Sequence, residues 1–81
     1  MGDMAMTAEH DWPQRASRYL KAELKRQGVI YDALAVRLNE MGFNETKASI
    51  ANKISRGAFT AAFFLASLKA IGVQNIRVDD V

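Results

Sequence analysis

Apolar residues recur at helical spacing in two neighbouring segments in the middle of the chain. In the first segment, steps of three and four residues give one apolar stripe, formed by Leu34, Ala35, Leu38 and Met41. In the second, placing residues about 100 degrees apart around a helix axis gathers Ile50, Ala51 and Ile54 on one face. Gly42 is suited to end the first helix and Gly57 the second. The pattern therefore predicts two short amphipathic helices, the second over residues 46–56.

An opening helix precedes this pair. Its buried stripe is formed by Ala16, Leu20 and Leu24. Asp11 can cap it, Pro13 sits in the first turn, where its missing N–H costs nothing, and Gly28 ends it. Residues 1–10 are expected to form a flexible N-terminus, so the folded domain begins at residue 11.

A fourth helix follows, with Thr60 as its cap and Gly72 at its end. Its predicted core face consists of Phe64, Leu65, Leu68 and Ile71. Phe63 makes a second apolar surface there, either as a dimer contact or as a core residue against the first helix. The sequence therefore predicts an all-α fold of four to five helices over residues 11–73.

The C-terminal residues 74–81 are predicted to be a strand or a tail. Val73 to Val78 alternate apolar and polar side chains with β-branched emphasis, as a short strand does. Ile76 and Val78 would then contact a symmetry mate, because a lone strand needs a partner and a two-fold dimer supplies one. The alternative is a tail packed against its own helices.

The second middle helix carries polar side chains opposite its apolar face. They are Ser49, Asn52, Lys53 and Arg56. Hydroxyl, amide, ammonium and guanidinium groups are those that contact base edges and phosphates. An amphipathic surface helix shows the same pattern without any ligand. The pattern therefore indicates a DNA-reading helix without being specific to one.

Charge along the chain supports this interpretation. Residues 12–78 contain all eleven Lys and Arg and four acids, a balance of +7, and the remaining five acids lie at the ends, which gives the net charge of +2. A basic body is expected of a protein that displaces counterions from a polyanion.

Composition excludes several other classes. The 81 residues suffice for one small domain. There is no cysteine, and the single histidine, His10, is expected to be exposed in the flexible start, so neither a metal site nor a histidine-based catalytic site can be assembled. We expect no enzyme activity and no cofactor. The longest apolar run, residues 58–66, is far shorter than a membrane span, and the N-terminus lacks the features of a signal peptide, so the cytoplasm is the expected location.

The chain resembles the phage-repressor and Cro type of helix-turn-helix domain. The resemblance covers roughly residues 16–73 and is carried by Leu34-Ala35, by Ile54-Ser55-Arg56-Gly57 and by Phe64-Leu65 to Leu68-Lys69-Ala70-Ile71-Gly72. More closely, GVIYDALAVRLNEMGFNETKASIANKISRGAFTAAFFLASLKAIG resembles a small bacterial domain family of unknown function with that fold. The resemblance implies that residues 46–56 are the recognition helix.

Two features depart from the repressor pattern. The stretch from Leu34 to Gly57 is longer than usual by about half a dozen residues, so NEMGFNET must form a wider connection. Ile30 replaces the hydroxyl side chain that usually caps the first helix of the pair, which leaves Asp32 as the nearest capping-type residue. Tyr31 stands where such domains often have a glutamine that reaches phosphate. Its phenol can donate the same hydrogen bond, or it can be a packed boundary residue.

These observations predict a sequence-specific DNA-binding transcriptional regulator that acts on double-stranded DNA, with a homodimer as one arrangement. Ser49, Asn52, Lys53 and Arg56 would read bases, and Tyr31, Lys47 and Thr60 would contact the DNA backbone. The alternative is a protein-interaction module that keeps the repressor-like fold and binds a partner through Phe63 or the terminal strand. RNA binding ranks below both, since an exposed aromatic stacking platform is missing from the sequence pattern.

Overall fold

The computed structural model describes residues 2–81, with side chains from residue 11 onward, as four α-helices followed by a short 3-10 turn. Helix α1 spans Gly2–Gln27, α2 Tyr31–Glu40, α3 Lys47–Arg56 and α4 Ala61–Ala70, and the 3-10 turn spans Val78–Asp80. Helix α3 packs against α1 and α2, and α4 packs against the same two helices. The prediction of an all-α fold is confirmed.

One apolar core joins the four helices. Its buried members are Leu20, Leu24, Val29, Leu34, Ala35, Leu38, Ile50, Ile54, Phe63, Leu68 and Ile71. Most of these were predicted from helical spacing. Burying such side chains is the main contribution to the stability of a chain of this size.

Two residues predicted in the core are exposed instead. Met41 is 43% exposed because α2 ends at Glu40, so its side chain follows the chain away from the helix face. Leu65 is 57% exposed because the core face of α4 is centred between Phe63 and Phe64, and Leu65 lies about 200 degrees from Phe63 around the axis. The nearly continuous apolar character of α4 hid this orientation in the sequence.

Helix α1 begins earlier than predicted. It starts at Gly2, so Asp11 is not an N-cap and Pro13 lies inside the helix. A proline within a helix removes one main-chain hydrogen bond, and the helix continues through it because the preceding residues include strong helix formers such as Met and Ala. The predictions made for the side chains of residues 1–10, including His10, lie outside the described side chains.

The C-terminal residues form the tail that the sequence offered as the alternative to a strand. No strand occurs within residues 2–81, and Ile76 packs against the helical core. The Arg15 guanidinium donates from Nε and Nη2 to the main-chain oxygen of Val81, at 3.1 and 2.7 Å. The tail folds back onto the helices of the same chain. Its backbone forms no strand pairing with any residue of 2–81.

No helix described for residues 2–81 combines the length and the apolar character that a bilayer crossing requires.

Gly57 ends α3 at a point where the chain lies against Pro13 of α1. Its φ of +63° is left-handed, a conformation that glycine adopts without strain. A Cβ atom at this position would lie 3.0 Å from the main-chain oxygen of Pro13 and 3.1 Å from its Cβ. The absence of a side chain at Gly57 therefore permits the close approach of α1 and α3.

Gly57→Ala is expected to destabilise the fold more than Gly28→Ala. Both positions have nearly equal left-handed φ angles, +63° and +68°, but a Cβ at Gly28 would meet nothing within 4 Å. The backbone strain is thus matched, and the clash with Pro13 should cost roughly 1–3 kcal/mol in addition. Urea denaturation of both variants measures the difference. Equal free energies of unfolding would contradict the close contact.

Candidate nucleic-acid interface

The N-terminus of α3 is fixed by a reciprocal capping box. Thr46 is the N-cap, and its hydroxyl oxygen accepts from the Ser49 N–H at 3.0 Å. The Ser49 hydroxyl oxygen accepts in turn from the Thr46 N–H at 2.8 Å. Two main-chain donors that would otherwise have no helical partner are satisfied in this way, so α3 begins at a defined residue.

The connection between α2 and α3 is held by a side-chain clamp. The Asn39 amide donates to the main-chain oxygen of Glu45 at 2.9 Å, and its oxygen accepts from the Glu45 N–H at 2.7 Å. Phe43, in the middle of the connection, is half-buried and packs against the core. The long connection therefore has a definite path.

A buried carboxylate lies at the end of this connection. Glu45 is only 5% exposed. It accepts a hydrogen bond from the Ser49 hydroxyl at 2.6 Å and forms an ion pair with the Lys53 ammonium. Lys53 Nζ also lies 5.0 Å from the centre of the Phe63 ring, within the range of a cation–π contact. The pair joins the connection to the middle of α3 and to α4.

This pairing changes the set of polar groups on the outer face of α3. Ser49 and Lys53 were both predicted to read bases. The Ser49 hydroxyl bonds to the Thr46 N–H and to Glu45, and the Lys53 ammonium pairs with Glu45 while its side chain stays 37% exposed. Asn52 and Arg56 are exposed. Asn52 lies directly opposite the midpoint of Ile50 and Ile54 around the helix axis, so its amide is at the centre of the outward face.

Two of the predicted backbone contacts come together in one groove. Tyr31, at the start of α2, and Lys47, at the start of α3, line an open groove of about 440 Å³. Lys25 of α1 lines the same groove, with Val29, Ile30 and Asp32. Two lysines and a tyrosine from three helices thus line one surface depression, together with the acidic Asp32.

The start of α2 faces this groove without a side-chain cap. Ile30 occupies the N-cap position and makes no capping hydrogen bond, as the sequence predicted, and its side chain is 67% exposed.

Thr60, the third predicted backbone contact, is the N-cap of α4, and its hydroxyl oxygen accepts from the Phe63 N–H at 3.0 Å. The Thr60 hydroxyl keeps its own proton free to donate.

The residues suggested for a dimer contact are dispersed. Phe63 is 2% exposed and belongs to the core, which corrects the suggestion that it offers a surface and agrees with its alternative interpretation as a core residue. Ile76 is half-buried against the core, whereas Val78 is 69% exposed. The three residues therefore do not form one exposed apolar patch.

Sequence reasoning missed the interactions that hold α3 in place. Glu45, Ser49 and Lys53 are spaced four residues apart, which is the spacing of side-chain pairs along a helix face, so this pattern offered a signal. The Asn39 clamp joins the end of α2 to the connection six residues later, and the bond from the buried Ser17 hydroxyl to the main-chain oxygen of Ile54 spans 37 residues. No local pattern reveals such pairings.

The chain belongs to a family described as a domain of unknown function, DUF6471, whose sequence model matches residues 12–76. The matched segment contains the whole of α2, α3 and α4. No curated protein and no solved structure matches the chain.

Asn39→Ala is expected to loosen the connection and destabilise the domain by about 1–3 kcal/mol, because the Glu45 main-chain groups lose both partners. Amide hydrogen exchange at Glu45 should accelerate in parallel. Asn44→Ala is the matched control, since Asn44 is exposed in the same connection. Chemical denaturation and exchange measurements on both variants test this, and equal behaviour would refute a role for the clamp.

Proposed function

We propose that this protein is a sequence-specific DNA-binding regulator in which α2 and α3 act as a helix-turn-helix and α3 enters the major groove of duplex DNA. The observation that carries the proposal is the outward face of α3. Asn52 and Arg56 are exposed there one turn apart, while the opposite face is locked into the core through Ile50 and Ile54. A rigid helix that presents an amide and a guanidinium matches the hydrogen-bonding edges of base pairs.

The groove beside α3 supports the same orientation. Lys25, Tyr31 and Lys47 can donate to phosphate oxygens from one depression. Contacts to the DNA backbone fix the position of a recognition helix in the major groove of the DNA, and contacts to base edges then supply sequence preference. Helix α3 offers the base contacts, and the protein groove lined by Lys25, Tyr31 and Lys47 offers the phosphate contacts.

The charges of the body fit a polyanionic partner. Helix α3 contains three cations and no acid. Two acids of the body, Glu23 and Glu45, are buried and form ion pairs with Arg26 and Lys53. Their negative charge is therefore neutralised locally, which favours the approach of phosphates to the remaining exposed cations.

The alternative, an interaction module without DNA binding, loses the surfaces on which it was based. Phe63 is buried, and residues 73–77 form no strand that could pair with a partner. The helical face of α3 keeps its exposed polar groups. DNA binding is therefore the function that the arrangement supports best.

The Asn52→Ala/Arg56→Ala double variant is expected to bind its preferred duplex at least roughly 30-fold more weakly than the wild type, because each base contact contributes about 1–3 kcal/mol. Selection from a random duplex pool identifies the preferred sequence, and fluorescence anisotropy measures the affinity. The matched control is Asn75→Ala/Arg77→Ala, which removes the same residue types from exposed positions of the tail.

Circular dichroism and thermal denaturation should show that both double variants fold, since all four side chains are exposed. Full affinity in the α3 double variant would refute the assignment of α3 as the reading helix. Absence of wild-type binding to any duplex at low salt would refute the proposed function itself.

Lys47→Gln is expected to weaken binding to all duplex sequences alike and to reduce the slope of log affinity against log salt by about one. The reason is that a phosphate contact carries no base preference. Lys69→Gln, an exposed lysine of α4 that lines a different groove, should leave the slope unchanged. A slope that changes equally in both variants would show that the groove beside α3 has no special role.

A further inference from the structure

Ala48 shares the outward face of α3 with Asn52 and Arg56. The three residues follow each other at intervals of one turn, and all are exposed. Around the helix axis Ala48 and Arg56 lie about 40 degrees to either side of Asn52. A methyl, an amide and a guanidinium therefore follow one another along a single stripe.

Two neighbouring polar side chains, Ser49 and Lys53, are engaged by contacts inside the domain. Ser49 makes its hydrogen bonds to Thr46 and Glu45, and the Lys53 ammonium is paired with the buried Glu45 carboxylate. These contacts fix both side chains toward the connection between α2 and α3. The exposed residues within about 40 degrees of Asn52 around the axis are then Ala48 and Arg56, and the exposed Ser55 lies about 60 degrees away.

Each group on the stripe has a distinct complement in the major groove. A carboxamide pairs with N6 and N7 of adenine, and a small apolar side chain contacts the 5-methyl group of thymine. Four residues of α-helix advance about 6 Å along the helix axis, close to the roughly 6.8 Å spanned by two base-pair steps. Resting on the proposed function, we infer that α3 reads an adenine through Asn52 and, about two base pairs away, a thymine whose 5-methyl group packs against Ala48.

The test removes the methyl group from each partner in turn. Wild-type protein is first used to select its preferred duplex from a random pool, and each thymine of that sequence is then replaced by deoxyuridine, which lacks only the 5-methyl group. At one position wild type should bind about fourfold more weakly, the loss expected for one buried methyl. Ala48→Gly should bind the thymine and uracil duplexes equally.

Ala62→Gly is the matched control. Ala62 is also exposed and also stands two residues after a threonine N-cap, at the start of α4, so the substitution has the same effect on helix propensity. This variant should still discriminate thymine from uracil by about fourfold. If neither Ala48→Gly nor Ala62→Gly distinguishes the thymine duplex from the uracil duplex, the proposed role of Ala48 is overturned.

A measurement on wild type alone keeps the inference testable if Ala48→Gly does not fold. Replacing adenines by 7-deazaadenine removes the N7 acceptor, and binding should fall about fivefold at one adenine located about two base pairs from the sensitive thymine. A preferred sequence that tolerates uracil at every thymine would overturn the inference and leave the proposed function standing. No binding to any duplex would overturn both.

Discussion

The buried Glu45 carboxylate is the interaction on which the position of α3 depends. It stands at the end of the connection from α2, receives the Ser49 hydroxyl and the Lys53 ammonium, and has its main chain held by Asn39. A buried ion pair contributes little net stability, because desolvation offsets much of the attraction, but removing one partner leaves an unpaired charge. The network therefore specifies one orientation of α3 rather than adding much to the free energy of folding.

That orientation decides which polar groups reach solvent. On α3 the hydroxyl and ammonium nearest to Glu45 are directed toward the connection, and the outward centre is left to Asn52 with Arg56 one turn later. The close contact of Gly57 with Pro13 fixes the other end of the helix against α1. Helix α3 is thus held at both ends while its outer face remains open.

Local signals in the sequence were sufficient for α2, α3 and α4, for the C-terminal end of α1 and for most of the core. Gly28, Gly42, Gly57 and Gly72 follow the four helices, and the periodic leucines and isoleucines are buried. Local signals failed where tertiary contacts decide the outcome. The ion pair of Lys53 with the buried Glu45 was not predicted, because it joins α3 to the connection that precedes the helix. The prediction that Leu65 lies in the core was wrong because an evenly apolar helix such as α4 does not reveal which of its faces is buried.

Folding accounts for some residues of α3 and not for others. Ile50 and Ile54 fill the core, and Ser49 completes the cap. Asn52 forms no side-chain hydrogen bond to any residue within the described side chains of 11–81, and asparagine is a poorer helix former than alanine. An asparagine in the exposed middle of a short helix thus reduces helix stability without a compensating contact inside the domain. Sites where local preference and stability disagree are where functional contacts are expected, and in the proposed function the Asn52 amide makes that contact with an adenine.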